Sequence, residues 1–352
     1  MTDLRAFLKQ LISAPGLSGF EAPVLELIEE AWEPLTDEMS HSRLGSLHGL
    51  RRGGGQEPRP RVLLAAHMDA VGFMVSGIVE GFLRLAPIGL LDNRILPGQL
   101  VTVHGREDLL GVIVQPPAHL LPAEVNNIPP PLELLLVDVG FQPDQLKRLA
   151  RVGDPVSFAQ APIEMDDEFL VGHSLDNRAS VAALTHCLQI LQDRPLIWDL
   201  WAVATVQEEE SMAGAVTSAF QIGPQIAVAI DVTYGSDYVS PGHKTYPIGG
   251  GPTLGWGVNV HPGIYEAFDK LASRLEIPAR MEVMPDSSGT DADGMQTTAQ
   301  GIPTMVVSIP LRYMHTPVEM VSMKDILMTG RLLAEFVAQL DDDFMSKLSW
   351  GA

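Results

Sequence analysis

The chain has 352 residues, of which 44 are acidic and 23 basic, for a formal charge of −21, and 46% are apolar. No Lys/Arg run could form a phosphate-binding stripe, so neither nucleic acid nor an anionic membrane surface is an expected partner. The length suits about two domains with a sizeable core, and the single cysteine, Cys187, excludes an intrachain disulfide framework or a cysteine-based zinc site.

In chain order, the opening MTDLRAFLKQLIS carries Asp3, Arg5 and Lys9 and lacks the apolar core of a signal peptide. No apolar run approaches the ~18 residues of a membrane span, so the cytoplasm is the expected compartment. A helical pattern in GFEAPVLELIEEAWEPL is followed by the loop RRGGGQEPRPR and the apolar strand VLLAAHMD. From Val71 to about Ile163 the texture changes to short β-branched runs, GFMVSGIVEGFLRLAPIG, QLVTVHG and LLGVIVQ, with PPAHLLPAEVNNIPPP as a surface loop. After Gly172 helices and apolar strands alternate again. NRASVAALTHCLQILQ, which carries Cys187 as an expected buried thiol, is a helix, and LIWDLWAVATVQ a strand. A helix around Ala213 to Phe220, strand IAVAIDVT, helix GIYEAFDKLASRLEI, strand TMVVSIP and a C-terminal helix from about Met323 complete the series. The simplest architecture is one α/β domain, residues 1–70 and 164–352, interrupted by a β-rich module over residues 71–163.

Residues that bind metals fall at one place on this map. His67 and Asp69 follow VLLAA, Asp176 precedes a helix, Glu208 and Glu209 end one strand, Asp231 ends another, and His315 follows TMVVSIP. The carboxyl ends of strands are where open α/β sheets bind ligands. Histidines mixed with carboxylates suit a pair of divalent cations bridged by one carboxylate, with zinc, cobalt or manganese preferred over calcium. In an extended segment Asp69 faces the same side as His67 and can orient its ring. Glu208 and Glu209 are adjacent at a strand end and point apart, so one can ligate while the other stays free as a base. Asp291 and Asp293 in SGTDADG are explained by turn chemistry, and His173 is at most an outer partner. The glycines of YPIGGGPTLGWG lack dinucleotide spacing and are expected to shape a turn near the substrate.

Seven stretches, AHMDAVGFMV, VDVG, LDNR, VQEE, IDVT, SGTDADGMQTTAQGIPT and RYMHTPVEM, resemble the M42 metallo-aminopeptidases in order and over nearly the whole chain. The resemblance implies a mixed-sheet zinc-peptidase-type catalytic α/β domain with an inserted small β-barrel-like domain. It also implies two divalent ions per subunit. One would be held by His67, Asp176 and Asp231, the other by Asp176, Glu209 and His315, with Asp176 bridging. Glu208 would be the general base and Asp69 the partner of His67, for attack of a metal-bound hydroxide on short peptides with a free N-terminus. The family pattern EEVGLRG stands here as EEESMAG, with Ser211 for a glycine and Ala213 for an arginine. The extra Glu210 permits a second register, with Glu209 as base and Glu210 as ligand. Other functions compatible with these residues are a dinuclear deacylase or carboxypeptidase, a metal-independent glycosidase with paired carboxylates, and a catalytically silent shell protein. The resemblance further implies a homo-oligomer, dimer-based and as large as a dodecamer. Its contacts would come from the apolar runs of residues 71–163, unless those runs only fill the module's own core.

Overall fold

The computed structural model describes residues 3–120, 129–236 and 244–350. The chain begins with α1 (Leu4–Ser13), α2 (Ala22–Trp32), β1 (Glu38–His41), β2 (Leu47–Arg51) and β3 (Arg61–His67). A second group follows: β4 (Gly72–Val79), β5 (Phe82–Ile88), β6 (Leu100–His104), β7 (Asp108–Val114), β8 (Leu136–Asp138), α3 (Pro143–Leu149) and β9 (Pro155–Phe158). Next come β10 (Ile163–Met165), β11 (Phe169–Gly172), α4 (Leu175–Leu191), β12 (Asp199–Thr205), α5 (Glu208–Ser211), α6 (Ala213–Ile222) and β13 (Ile226–Tyr234). The last third holds β14 (Thr253–Gly257), α7 (Pro262–Arg274), β15 (Arg280–Met284), α8 (Asp291–Gln296), β16 (Thr304–Arg312), β17 (Glu319–Ser322), α9 (Met323–Ala338) and α10 (Phe344–Lys347).

The main sheet is mixed and runs β1-β2-β12-β3-β13-β16-β17-β11-β10, with β14 on β16 and β15 on β14. Its centre, β12-β3-β13-β16, is parallel, and those strands are nearly continuous apolar runs because they are covered on both faces. α4 packs on β3, β13 and β16 and against α9, while α6 and α8 pack on each other and on β3. The parallel register sets His67 beside Thr205 and Asp231 beside Ser308, so β3, β12, β13 and β16 end along one edge. Every segment singled out for its metal-type residues departs from that edge or arrives at it.

Strands β4-β5-β8-β7-β6-β9 close into a separate antiparallel barrel. Its apolar runs point inward: Phe73, Val75, Leu83, Val101, Ile113 and Val137 form a core of their own. Much of the β-branched texture of this zone is therefore accounted for by the barrel interior. Of the proline-dense loop expected over residues 116–131, residues 121–128 lie outside the described residues. Among the described residues no helix is long and apolar enough to cross a membrane. Cys187 is fully buried, and burial pushes its thiol pKa up, out of the range of a reactive thiolate.

Candidate functional site

Asp176 stands between two imidazoles. Its Oδ1 lies 3.3 Å from His67 Nε2, and its Oδ2 lies 3.3 Å from His315 Nε2. On the His67 side, Asp231 Oδ1 is 3.8 Å from the same Nε2, and on the His315 side Glu209 Oε2 is 3.5 Å from that ring. Glu208 Oε2 is 3.8 Å from His67 Nε2. Candidate donor atoms of His67, Asp176 and Glu209 all fall within 4.8 Å of one another, and Glu209 Oε1 is buried without a hydrogen-bond partner.

Backbone geometry explains how these groups converge. Non-glycine residues with positive φ flank the site segments: Ser174 (67°), Gln207 (59°), Met212 (54°), Tyr313 (61°) and His315 itself (59°). Such strained turns persist only where surrounding contacts hold them. Two buried carboxylates hold the one before α5. Glu21 accepts from Gln207 N at 3.2 Å, and Asp69 accepts from Glu208 N at 3.0 Å and Glu209 N at 3.2 Å. Gly214 lets α6 follow at once, because a Cβ there would sit 2.3 Å from the carbonyl oxygen of Val206. Asp69 thus does more than face His67. His67 Nδ1 meets the Asp69 carbonyl oxygen at 3.1 Å and its carboxylate at 3.5 Å, while that carboxylate mainly caps the helix bearing the two glutamates.

Sequence reasoning missed three further contributors. Glu319, buried, accepts from Asp176 N (3.1 Å) with one carboxylate oxygen and from His315 N (2.9 Å) with the other, locking two distant loops together. Arg178, fully buried, donates to the carbonyls of Leu11, Ala14, Gly16 and Met68 and so ties α1 to the loop after β3. Asp291 accepts from Thr205 Oγ1 at 2.5 Å and lies buried beside the cluster, so turn chemistry accounts for Asp293 but not for it. All three lie in stretches already singled out, RYMHTPVEM, LDNR and SGTDADG, but residue type alone gave no sign of these bonds. His173 is buried edge-on to Phe158 of the barrel, and burial first, then Arg178, pushes its pKa down to about 3. The expected glycine turn forms at Gly249 and Gly251 (φ 76° and 90°). Their N–H groups go to Asp325 of α9, and neither glycine lines the site cavity.

The cluster's electrostatics ask for positive charge. Burial first, then neighbouring carboxylates, pushes the Glu209 and Asp231 carboxyls well above the usual range, and burial raises Glu208 to about 9. Asp176 resists the same burial because both imidazoles hydrogen-bond to it, which holds it low. Burial would depress His67, yet Glu208, Asp176, Asp69 and Asp231 hold it well above its ordinary value. Carboxylates at this density cannot all ionise without cations among them, so the donor set fits divalent metal ions.

Glu210 is different. Its Oε1 accepts from Gly89 N at 2.6 Å, joining α5 to the end of barrel strand β5. Ser211 reaches only back to Gln207 O at 3.4 Å, and nothing in the structure explains Ala213. A cavity of about 510 Å³ opens over the cluster, bounded by Leu90, Met212, Tyr234, Glu282, Met284 and Met314 beyond the residues already named.

The family model described as M42 glutamyl aminopeptidase matches residues 45–332. A lysyl aminopeptidase of Pyrococcus furiosus is 30% identical over 339 residues, covering 95% of this chain and 96% of that one. The solved TET aminopeptidase of a marine sediment archaeon, Thaumarchaeota archaeon SCGC AB-539-E09, superposes with a TM-score of 0.93 at 28% identity, covering 99% and 100% of the two chains. The TET1 peptidase of Pyrococcus horikoshii, whose structure is described as assembling into a tetrahedron or a large octahedral shell, gives a TM-score of 0.84 at 26% identity over 96% of this chain and 100% of that one. With a family match over most of its length and relatives of the same full extent in sequence and fold, the chain belongs to the M42 glutamyl aminopeptidase family of peptidases.

Proposed function

We propose that the protein is a dinuclear metal-dependent aminopeptidase that removes N-terminal residues from short peptides. The observation that carries this reading is Asp176, whose two oxygens each face a different imidazole at 3.3 Å. His67, Asp176 and Asp231 would hold one ion, and Asp176, Glu209 and His315 the other, with zinc favoured by the donor set and cobalt or manganese as alternatives. When bound, two such ions supply Lewis-acid polarisation of the scissile carbonyl and lower the pKa of water. Glu208 lies towards His67, its Oε2 3.8 Å from Nε2. It is assigned as the base that takes the proton of the attacking water and returns it to the leaving amine. Positive charge nearby brings its carboxyl down from about 9 towards the range where it can serve. Asp69 orients His67 and fixes the turn that presents Glu208 and Glu209. The exposed position of Glu210, bound to Gly89, supports this register over one in which Glu210 ligates.

We assign residues 1–70 and 164–352 to the catalytic unit, and residues 71–163 to an inserted unit that governs assembly and substrate access. The shell-forming Pyrococcus horikoshii relative supports a dimer-based homo-oligomer, up to a dodecamer, with sites facing an interior. A cytoplasmic location is part of the same reading. Hydrolysis of an aminoacyl amide with a free amine, compared with its N-acetylated form, tests the reaction class. The free amine is expected to be required. Preferred cleavage of the acetylated compound at its acyl group would replace the reading with a deacylase, and sugar hydrolysis indifferent to chelators would replace it with a glycosidase.

A further inference from the structure

Besides Glu210, which is bound to Gly89, one acidic side chain in the cavity wall has no part in the cluster. Glu282, on β15, reaches across β14 so that its Oε1 accepts from Thr233 Oγ1 and its Oε2 from Thr253 Oγ1, both at 2.5 Å. Burial pushes its carboxyl up, and the two threonine hydroxyls oppose that. No Lys or Arg is among the described residues that line the cavity. Thr233 lies two residues beyond Asp231 on β13, about 7 Å further along the strand, so Glu282 sits one side-chain length away from the cluster. Met212, Met284, Met314 and Leu90 supply apolar wall.

From this arrangement we infer that Glu282 selects substrates whose N-terminal residue carries a cationic side chain, lysine or arginine. The inference rests on the aminopeptidase reading, which seats the substrate's free amine at the cluster. An extended lysine side chain spans about 6 Å from Cα to Nζ at standard bond lengths, which matches that separation. Its methylene stem suits the apolar walls and its ammonium the carboxylate beyond them. Both oxygens of Glu282 already accept one hydroxyl proton, and what they can still take is a further donor. A leucine side chain would exclude water from the carboxylate without pairing it, and a glutamate side chain would meet like charge.

The test is the kcat/KM of the zinc-loaded protein on lysyl, arginyl, leucyl, norleucyl and glutamyl amides, for the native chain and Glu282→Gln. The native chain is expected to favour lysine and arginine over norleucine by roughly 30-fold or more, the scale of losing one partner of a buried charge pair. Glu282→Gln should collapse that preference by lowering kcat/KM for the lysyl and arginyl amides while the leucyl and norleucyl amides are still hydrolysed. A native chain that treats lysine and norleucine alike, or favours glutamate, overturns the inference. So does a variant that loses all substrates equally, because Glu282 would then only hold β15 in place. If no aminoacyl amide is hydrolysed, the aminopeptidase reading fails on its own. Calorimetry of lysinamide against norleucinamide on the zinc-loaded native chain then still decides: tighter lysinamide supports the inference, and equal binding overturns it.

Discussion

Glu208 and Glu209 are neighbours in sequence with opposite assignments, and their surroundings separate them. Glu209 faces His315 and Asp176, whereas Glu208 lies towards His67 and, with Asp231 and Asp291, shares the cost of crowded negative charge. Glu208→Gln is expected to keep two metals per chain and lower kcat by roughly 10²-fold or more, the usual loss of a general base. Glu209→Gln should lose one metal, as elemental analysis would record, and exchanged phenotypes would reverse the assignment. Glu319 is a positioning residue. A glutamine there has one acceptor oxygen where Asp176 N and His315 N need two, so Glu319→Gln should weaken metal affinity by about 10-fold or more in a chelator competition. Unchanged affinity would show that the two loops hold their places without it. The metal-type residues were legible in the sequence because histidines and carboxylates at strand ends are unusual for a fold's own sake. Glu319, Arg178 and Glu21 were not, because a side chain that holds backbone groups leaves no signature in residue type. Glu282 was hidden for another reason: in ARMEVMP it reads as the outward residue of an edge strand, and its bonds to Thr233 and Thr253 depend on pairings between distant strands.

Elements behaved according to how much apolar surface they bury. The long parallel strands and the helices beside them were readable from periodicity, because burial on both faces leaves unbroken apolar runs. The short strands β1, β10, β15 and β17 were not, since three to five residues carry no period. Closure of β4–β9 into a barrel depends on pairings between distant strands, which local patterning cannot specify. One contact between elements has a pH signature. His48 of β2 is fully buried, its Nε2 2.9 Å from Ser218 Oγ of α6, and burial first, then His41, lowers its pKa to about 4. The folded chain therefore keeps it neutral while the unfolded chain protonates it near 6.5, so its contribution is full above pH 6.5 and is lost as pH falls towards 4. At pH 5 the loss is about 2 kcal/mol. Urea unfolding at pH 7.5 and pH 5 should show a smaller acid-induced drop for His48→Gln than for the native chain. An equal drop in both would mean that His48 titrates normally in the fold.

At the scale of the whole molecule, the barrel's apolar runs fill much of its own interior, and the shell-forming relative is the stronger support for assembly. What the barrel leaves outside is scattered: Leu90, Leu100 and Leu110 are exposed by half or more. Light scattering on the purified protein is expected to give a mass of at least two chains and up to twelve. A monomer at micromolar concentration with full activity would remove the compartment and leave the chemistry untouched. In the proposed function that chemistry would depend on metal charge among the buried carboxylates, and so the most direct measurement is peptide hydrolysis against metal content per chain, as zinc, cobalt or manganese is returned to chelated protein. No hydrolysis is expected in the metal-free protein, and full recovery is expected as the second ion per chain is bound. Full activity in protein shown to be metal-free, or saturation at a single ion, would contradict the proposed function.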